Sequence, residues 1–178
     1  MLKIQHKISM VLVLVIFIQA SVWAGLIGNY FQSSEYGFSI TGHNDWKASL
    51  SNRGHLVDFF SPQTGAVVYV LGMPRRGSFY NAKAFAKSYL DNYDGWIYTA
   101  GRNLDESELS RANAKDAFRA MYVSNKMTPE GKRKKDIVIE TYYLSGTKAC
   151  VVSAKTSDHT WAVDKEQILQ TLDSFKFD

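Results

Sequence analysis

Two short stretches carry the residue types that do chemistry. Gly42 to Trp46 reads GHNDW and Ser157 to Trp161 reads SDHTW. Each sets a histidine beside an aspartate, His43 with Asp45 and Asp158 with His159. Imidazole and carboxylate together form an acid–base couple or a metal-binding pair. A fold that joined the two stretches would hold two imidazoles and two carboxylates in one place, which fits a small hydrolase or a metal- or ligand-binding site near His43 and His159. Residues two apart on a strand share a face, yet Gly42 and Asn44 interleave the first pair. Gly, Asn and Asp are turn formers, so the plainer reading is a polar bend.

A third feature is KMTPEGKRKKD, residues 126 to 136. Lys126, Lys132, Arg133, Lys134 and Lys135 meet only Glu130 before Asp136, and Thr128, Pro129 and Gly131 predict a loop between two strands. Such lysines keep a β-edge soluble. Lys132, Arg133, Lys134 and Lys135 would equally serve as a contact for anionic lipid headgroups or an acidic partner. Pro74-Arg75-Arg76-Gly77 is a second basic loop, and Tyr89, Tyr93, Tyr98, Tyr142 and Tyr143 are candidates to line a groove.

Catalytic signatures are missing from the chain. It has no Gly-x-Ser-x-Gly elbow, His-Glu-x-x-His helix, phosphate loop or Cys-x-x-Cys, and no motif calls for a cofactor. Cys150 stands among Ala149, Val151 and Val152, where it packs as a small apolar residue. As the only cysteine it leaves the domain without an internal disulfide.

The amino terminus reads as a secretory signal. Lys3 and Lys7 precede the apolar run Ile8 to Ile18, and Val22 and Ala24 place cleavage between Ala24 and Gly25. This makes residues 1–24 a signal peptide and the protein periplasmic. Retention as an inner-membrane anchor is the competing outcome, but the run falls short of the ~20 residues a spanning helix needs. The full chain carries +4 from 21 basic and 17 acidic residues; without the two leader lysines it carries +2. That charge is too weak and dispersed to predict nucleic-acid binding.

Residues 25–34 read as a short leader into a single domain over 35–178. Alternation predicts strands at 36–41, 46–50, 56–60 and 66–71, with SPQTG as a hairpin connection. NAKAFAKSYLDNY has helical spacing, with Asn81 as N-cap and Tyr80 placed to staple onto Phe85. Trp96 to Ala100 predicts a strand, and DESELSRA a short helix capped by Asp105 and Glu108. Three more strands follow at 116–123, 136–144 and 148–155, the last two joined at Ser145-Gly146. Asp164 and Gln167 predict a capping box for a final helix that buries Ile168, Leu169, Leu172 and Phe175. Short links between strands imply antiparallel pairing, since parallel strands need long crossovers. The fold class is α+β, a mostly antiparallel sheet with two main helices packed on it.

In that order of elements the chain resembles a family. EYGFSITGHNDWKAS is similar to the opening of PsbP-like domains, including the bacterial DcrB-type periplasmic proteins, in which a Tyr-Gly-Phe-Ser strand leads by a turn into a tryptophan. ILQTLDSFKFD resembles the closing helix that runs into a Ser-Phe-(basic)-Phe strand, with a strand pair around FFSP and AVVYVL and a helix ending near Tyr89-Leu90 between them. The resemblance spans about residues 34 to 178, and its motifs are packing and turn residues, informative about fold and silent on chemistry. It implies an antiparallel sheet with helices on its faces, in a non-enzymatic binding or assembly factor with a protein partner. Some photosynthetic relatives assist photosystem II, a role with no support in this chain. No residue matches a catalytic or metal motif of the family. An inhibitor- or immunity-type partner of another protein in the same compartment is a further reading.

Overall fold

The computed structural model describes residues 25–51, 55–74, 81–90, 95–127, 131 and 133–178. Residues 1–24, Arg75, Arg76, Tyr80, Tyr93 and Lys132 lie outside these residues, and so do the expectations attached to them.

Eleven strands and three helices are described. They are β1 (Gly25–Ile27), β2 (Tyr30–Ser33), β3 (Phe38–Thr41), β4 (Lys47–Leu50), β5 (Val57–Phe60), β6 (Val67–Pro74), α1 (Ala82–Leu90), β7 (Trp96–Asn103), α2 (Glu106–Ala112), β8 (Asp116–Met127), β9 (Arg133–Ser145), β10 (Lys148–Ser157), α3 (Trp161–Asp173) and β11 (Lys176–Phe177). The α+β class holds, but the strands divide between two sheets. One has four strands in the order β1-β2-β3-β11; the other has seven, β4-β5-β6-β10-β9-β8-β7. All the pairings are antiparallel.

The seven-stranded sheet has two faces of different character. Its inner face presents Val57, Phe59, Val68, Val70, Ile139, Tyr143, Cys150, Val152 and Ala154 to α3 and the small sheet. From the other side come Phe31, Phe38, Ile40 and Phe177, with Ile168, Leu172 and Phe175 between. Phe175 stacks on Tyr143 at 4.3 Å and on Phe38 at 5.3 Å, so one ring joins the two sheets. The outer face is covered by α1, whose Ala82, Phe85 and Ala86 pack on Tyr142, Leu144, Ala149 and Val151. Asn81 caps α1 through Oδ1, which accepts from Ala84 N at 2.8 Å.

Several local expectations are corrected. Residues 25–34 are no free leader: β1 and β2 pair with each other and β2 pairs with β3. Burial of Phe31 and Ser33 on alternate positions is what recruits that stretch. The helix α3 starts three residues before Asp164, at Trp161 behind Thr160. Asp164 is fully buried and accepts from Thr64 Oγ1 at 2.7 Å and from Thr156 Oγ1, while Gln167 Oε1 accepts from Trp46 Nε1 at 2.9 Å. The acid that read as a cap is thus a tether between α3, β10 and the β5–β6 turn. The β9–β10 turn is Gly146-Thr147, one residue later than expected, with Gly146 at φ +57°. The flanks of the 126–136 segment are strand, since β8 and β9 continue pairing to Met127 and Arg133; residues 128–130 and 132 lie outside the described residues.

The capping box of α2 forms as read. Asp105 Oδ1 accepts from Glu108 N at 2.9 Å and Glu108 Oε2 accepts from Asp105 N at 3.0 Å. Arg102 grips both oxygens of Glu108 at 2.6 Å, and that hydrogen-bonded pair holds the Glu108 carboxyl at about 2, well below its ordinary 4.5. A depressed carboxyl pKa stabilises the fold above 4.5, and this contribution is lost as pH falls from 4.5 through about 2. Glu108→Gln is therefore expected to lower Tm at pH 6. The difference from wild type should shrink steadily in melts taken from pH 4.5 towards pH 2.

Candidate functional site

The fold does not unite the two histidine stretches. His43 lies at the carboxyl end of α3, its backbone N–H donating to Thr171 Oγ1 at 3.2 Å. His159 precedes the amino end of the same helix and is 90% exposed. Eleven residues of chain from Thr160 to Thr171 set the two ends apart by about 16 Å. Trp46 N donates to His43 O at 3.0 Å and Asn29 Nδ2 donates to the same oxygen at 2.6 Å, so the first stretch is a pinned turn. Asp45 Oδ2 stands 3.9 Å from His43 Nδ1, and His159 Nε2 stands 3.6 Å from Asp158 Oδ1, both beyond hydrogen-bond distance. Among the described residues no three of His, Cys, Asp and Glu gather as a metal-ligand group.

The basic cluster is likewise parted. Lys134 and Lys135 are consecutive in β9, so their side chains leave opposite faces of the sheet. Lys134 Nζ reaches Asp136 at 3.8 Å. Cys150 is buried in the core, which pushes its thiol up to about 12 despite the nearby Lys148.

Chemistry-bearing groups do converge, on the outer face of the large sheet. The register places Asp58, Tyr69, Ser153, Glu140 and Ala120 in one row across five strands, and Val67, Lys155, Val138, Tyr122 and Tyr98 in the next. The helix α1 covers the rows on one side of these and stops short of them, reaching Tyr142 with Phe85 and Tyr89. Glu140 is 2% exposed; it accepts from the Tyr142 hydroxyl and from Ser153 Oγ at 3.1 Å. Lys155 Nζ binds Asp136 at 2.9 Å. Around them lies a cavity of about 170 Å³ lined by Tyr69, Trp96, Tyr122, Val138, Glu140 and Lys155. Burial raises the Tyr69 and Tyr122 hydroxyls above the ordinary phenol value, and the Glu140 charge adds to both. His55 stacks on Tyr69 at 4.1 Å and its Nδ1 meets Asp58 Oδ1 at 3.0 Å, which stiffens that wall.

Beside the cavity runs a shallower groove of about 510 Å³ between α1 and the edge strand β7, lined by Asn81, Lys83, Ala84, Lys87, Tyr98 and Phe118. From Ile97 to Asn103 every residue of β7 is exposed, Ile97 by 55% and Tyr98 by 51%. Tyr98 lies over Gly101, where an added Cβ would come within 2.4 Å of its hydroxyl. The buried Phe118 ring, 2.6 Å from the same Cβ, has less room to move than exposed Tyr98 and is what favours glycine here.

The sequence reading missed Glu140, Ser153, Tyr69 and Tyr122 as a group. Its one available signal was a carboxylate set inside the dense apolar run IVIETYYL.

The architecture is the PsbP/Mog1-like α+β fold, as the sequence resemblance implied. Cyanobacterial PsbP (CyanoP) from Synechocystis superposes with a TM-score of 0.58 over 89% of this chain and 98% of its own, at 14% identity. LpqN of Mycobacterium tuberculosis, described as involved in cell envelope biogenesis, gives 0.57 over 85% and 86% at 15% identity. The Ran-binding protein Mog1p of Saccharomyces cerevisiae gives 0.55 over 86% and 96% at 8% identity. At these identities the likeness is one of fold. No sequence-family model matches the chain, and a search of curated protein sequences finds no relative.

Proposed function

We propose that this chain is an exported, non-enzymatic binding or assembly factor of the PsbP-like type that takes a protein partner along β7 and the groove beside α1. The observation that carries this reading is the half-covered outer face. It ends in an edge strand with seven consecutive exposed residues, Ile97 and Tyr98 among them, next to a groove with an apolar floor. Exposed apolar residues of this kind, Tyr98 on the groove side of β7 and Ile97 on the other, mark interaction sites. An edge strand also offers its backbone groups to an extended partner segment. Mog1p is a Ran-binding protein, so the same fold serves protein contact elsewhere.

Ionisation argues in the same direction. Proton transfer is served best by a group poised near neutral pH. The shifted groups move away from it: Tyr69, Tyr89, Tyr122, Tyr143 and Cys150 upward, Asp105 and Glu108 downward. The competing hydrolase or metal-site reading needs His43 and His159 together, and α3 holds them apart. An inhibitor- or immunity-type role would use the same surface, and the identity of the captured partner distinguishes it.

Export rests on the leader pattern, with cleavage between Ala24 and Gly25. Among the described residues no helix is long and apolar enough to cross a membrane.

The test is crosslinked pull-down from an envelope extract of the source organism. Wild type is expected to retain one specific partner. Replacing Ile97 and Tyr98 by aspartate should reduce capture about tenfold or more, the loss of a small hot spot, with Tm unchanged. Undiminished capture by that variant would remove β7 from the interface.

A further inference from the structure

We propose that the cavity between Tyr69 and Trp96 is a binding site for a small uncharged polyol. This site is separate from the β7 groove and does not depend on the partner proposed there. The argument starts from two hydroxyls. Tyr122 is 1% exposed, lines the cavity, and its Oη makes no hydrogen bond of ordinary geometry. Ser124, two residues along β8 on the same face, is equally buried, and its Oγ also has none. Buried polar atoms without partners are rare in native proteins and point to an occupant.

The surrounding charges say what kind. The lining holds one carboxylate, Glu140, and one ammonium, Lys155, so no net charge favours an ion of either sign. Both are already engaged, Glu140 by the Tyr142 and Ser153 hydroxyls and Lys155 by Asp136. A cation would sit beside Lys155 and an anion beside Glu140, so either sign meets a like charge. A neutral hydroxyl meets none and can bond to both, because a carboxylate has about four acceptor positions and an ammonium three donors. The unsatisfied group that lines the cavity, Tyr122 Oη, is itself a neutral hydroxyl, able to donate and to accept.

The walls set shape and size. Val138 and the rings of Trp96, Tyr69 and Tyr122 form apolar sides suited to the C–H face of a ligand whose O–H groups point at Glu140, Lys155 and Tyr122. A cavity of about 150 Å³ takes a benzene ring. The present one, about 170 Å³, therefore takes a single saturated six-membered ring or a short open-chain polyol.

The test is a methyl NMR titration of Val138 with glycerol, myo-inositol and glucose, each up to about 50 mM, well above a millimolar dissociation constant. At least one probe should shift the Val138 methyls saturably. Tyr122→Phe should raise Tm, because it removes an unsatisfied buried hydroxyl, and should weaken the same titration about tenfold or more. Val138→Met, which fills the cavity, should abolish it in a folded protein. Val138 methyls that no probe shifts would mean that water is the only occupant. Unchanged affinity in Tyr122→Phe, or a lowered Tm for it, would mean that the hydroxyl serves the fold. Either result overturns the proposal.

Discussion

Phe175→Ala is expected to lower the unfolding free energy by about 4 kcal/mol, within the range for truncating a fully buried phenylalanine. Phe175 is 1% exposed just beyond the end of α3. Its ring stacks on Tyr143 of the large sheet and Phe38 of the small one, and meets Phe177 edge-on at 5.1 Å. Truncation therefore opens a void where three layers meet. Collapse is hindered, since Tyr143 is tied through its hydroxyl to Leu172 O at 3.1 Å, and Ser174 is fastened to Thr41 by two bonds of 2.9 and 2.8 Å. Urea denaturation monitored by circular dichroism measures the loss. A cost below about 1 kcal/mol would mean that the two sheets close without this ring.

Asp164→Ala carries the second large effect, about 3 kcal/mol. The carboxylate is fully buried and receives Thr64 and Thr156, whose hydroxyls also bond to Ser61 at 2.9 Å and Thr160 at 2.8 Å. Alanine would remove the acceptor shared by Thr64 and the buried Thr156 and untie α3 from β10 and the β5–β6 turn. Asparagine keeps the shape and one acceptor oxygen, so Asp164→Asn should lose clearly less in the same urea series. Equal losses for both substitutions would show that the charge, and not the hydrogen bonds, fastens the helix.

These two residues also show what a sequence can disclose. Phe175 was legible, because its distance from Ile168 and Leu172 follows the helical period. Asp164 was misread. A carboxylate three residues before Gln167 has the spacing of a capping box, and nothing local reveals that Trp161 to Val163 add an earlier turn. The hairpins were readable from their short links. The division into two sheets was not, since β11 reaches β3 across the whole length of the domain. The site follows the same logic. His43 and Asp45 look chemical because they are neighbours in the chain, and the fold uses them in a turn. Tyr69, Ser153 and Glu140 look ordinary because they are scattered through apolar strands, and only the pairing register lines them up. Local spacing predicts caps and turns well, but it carries no register.

The outer face carries both surfaces proposed for binding. The helix α1 shields the part of the sheet under Phe85 and leaves rows from β5 to β7 to make a cavity and an exposed edge. In that region the buried Glu140 is held by two hydroxyls and Lys155 is paired with Asp136, an arrangement suited to shape and hydrogen-bond recognition.

The decisive measurement is site-specific photo-crosslinking in the envelope of the source organism, with the reactive group placed in turn at Ile97 and at His159. A discrete adduct is predicted from Ile97 and none from His159. An adduct formed at His159 while Ile97 stays silent would contradict the assignment of the binding surface to β7.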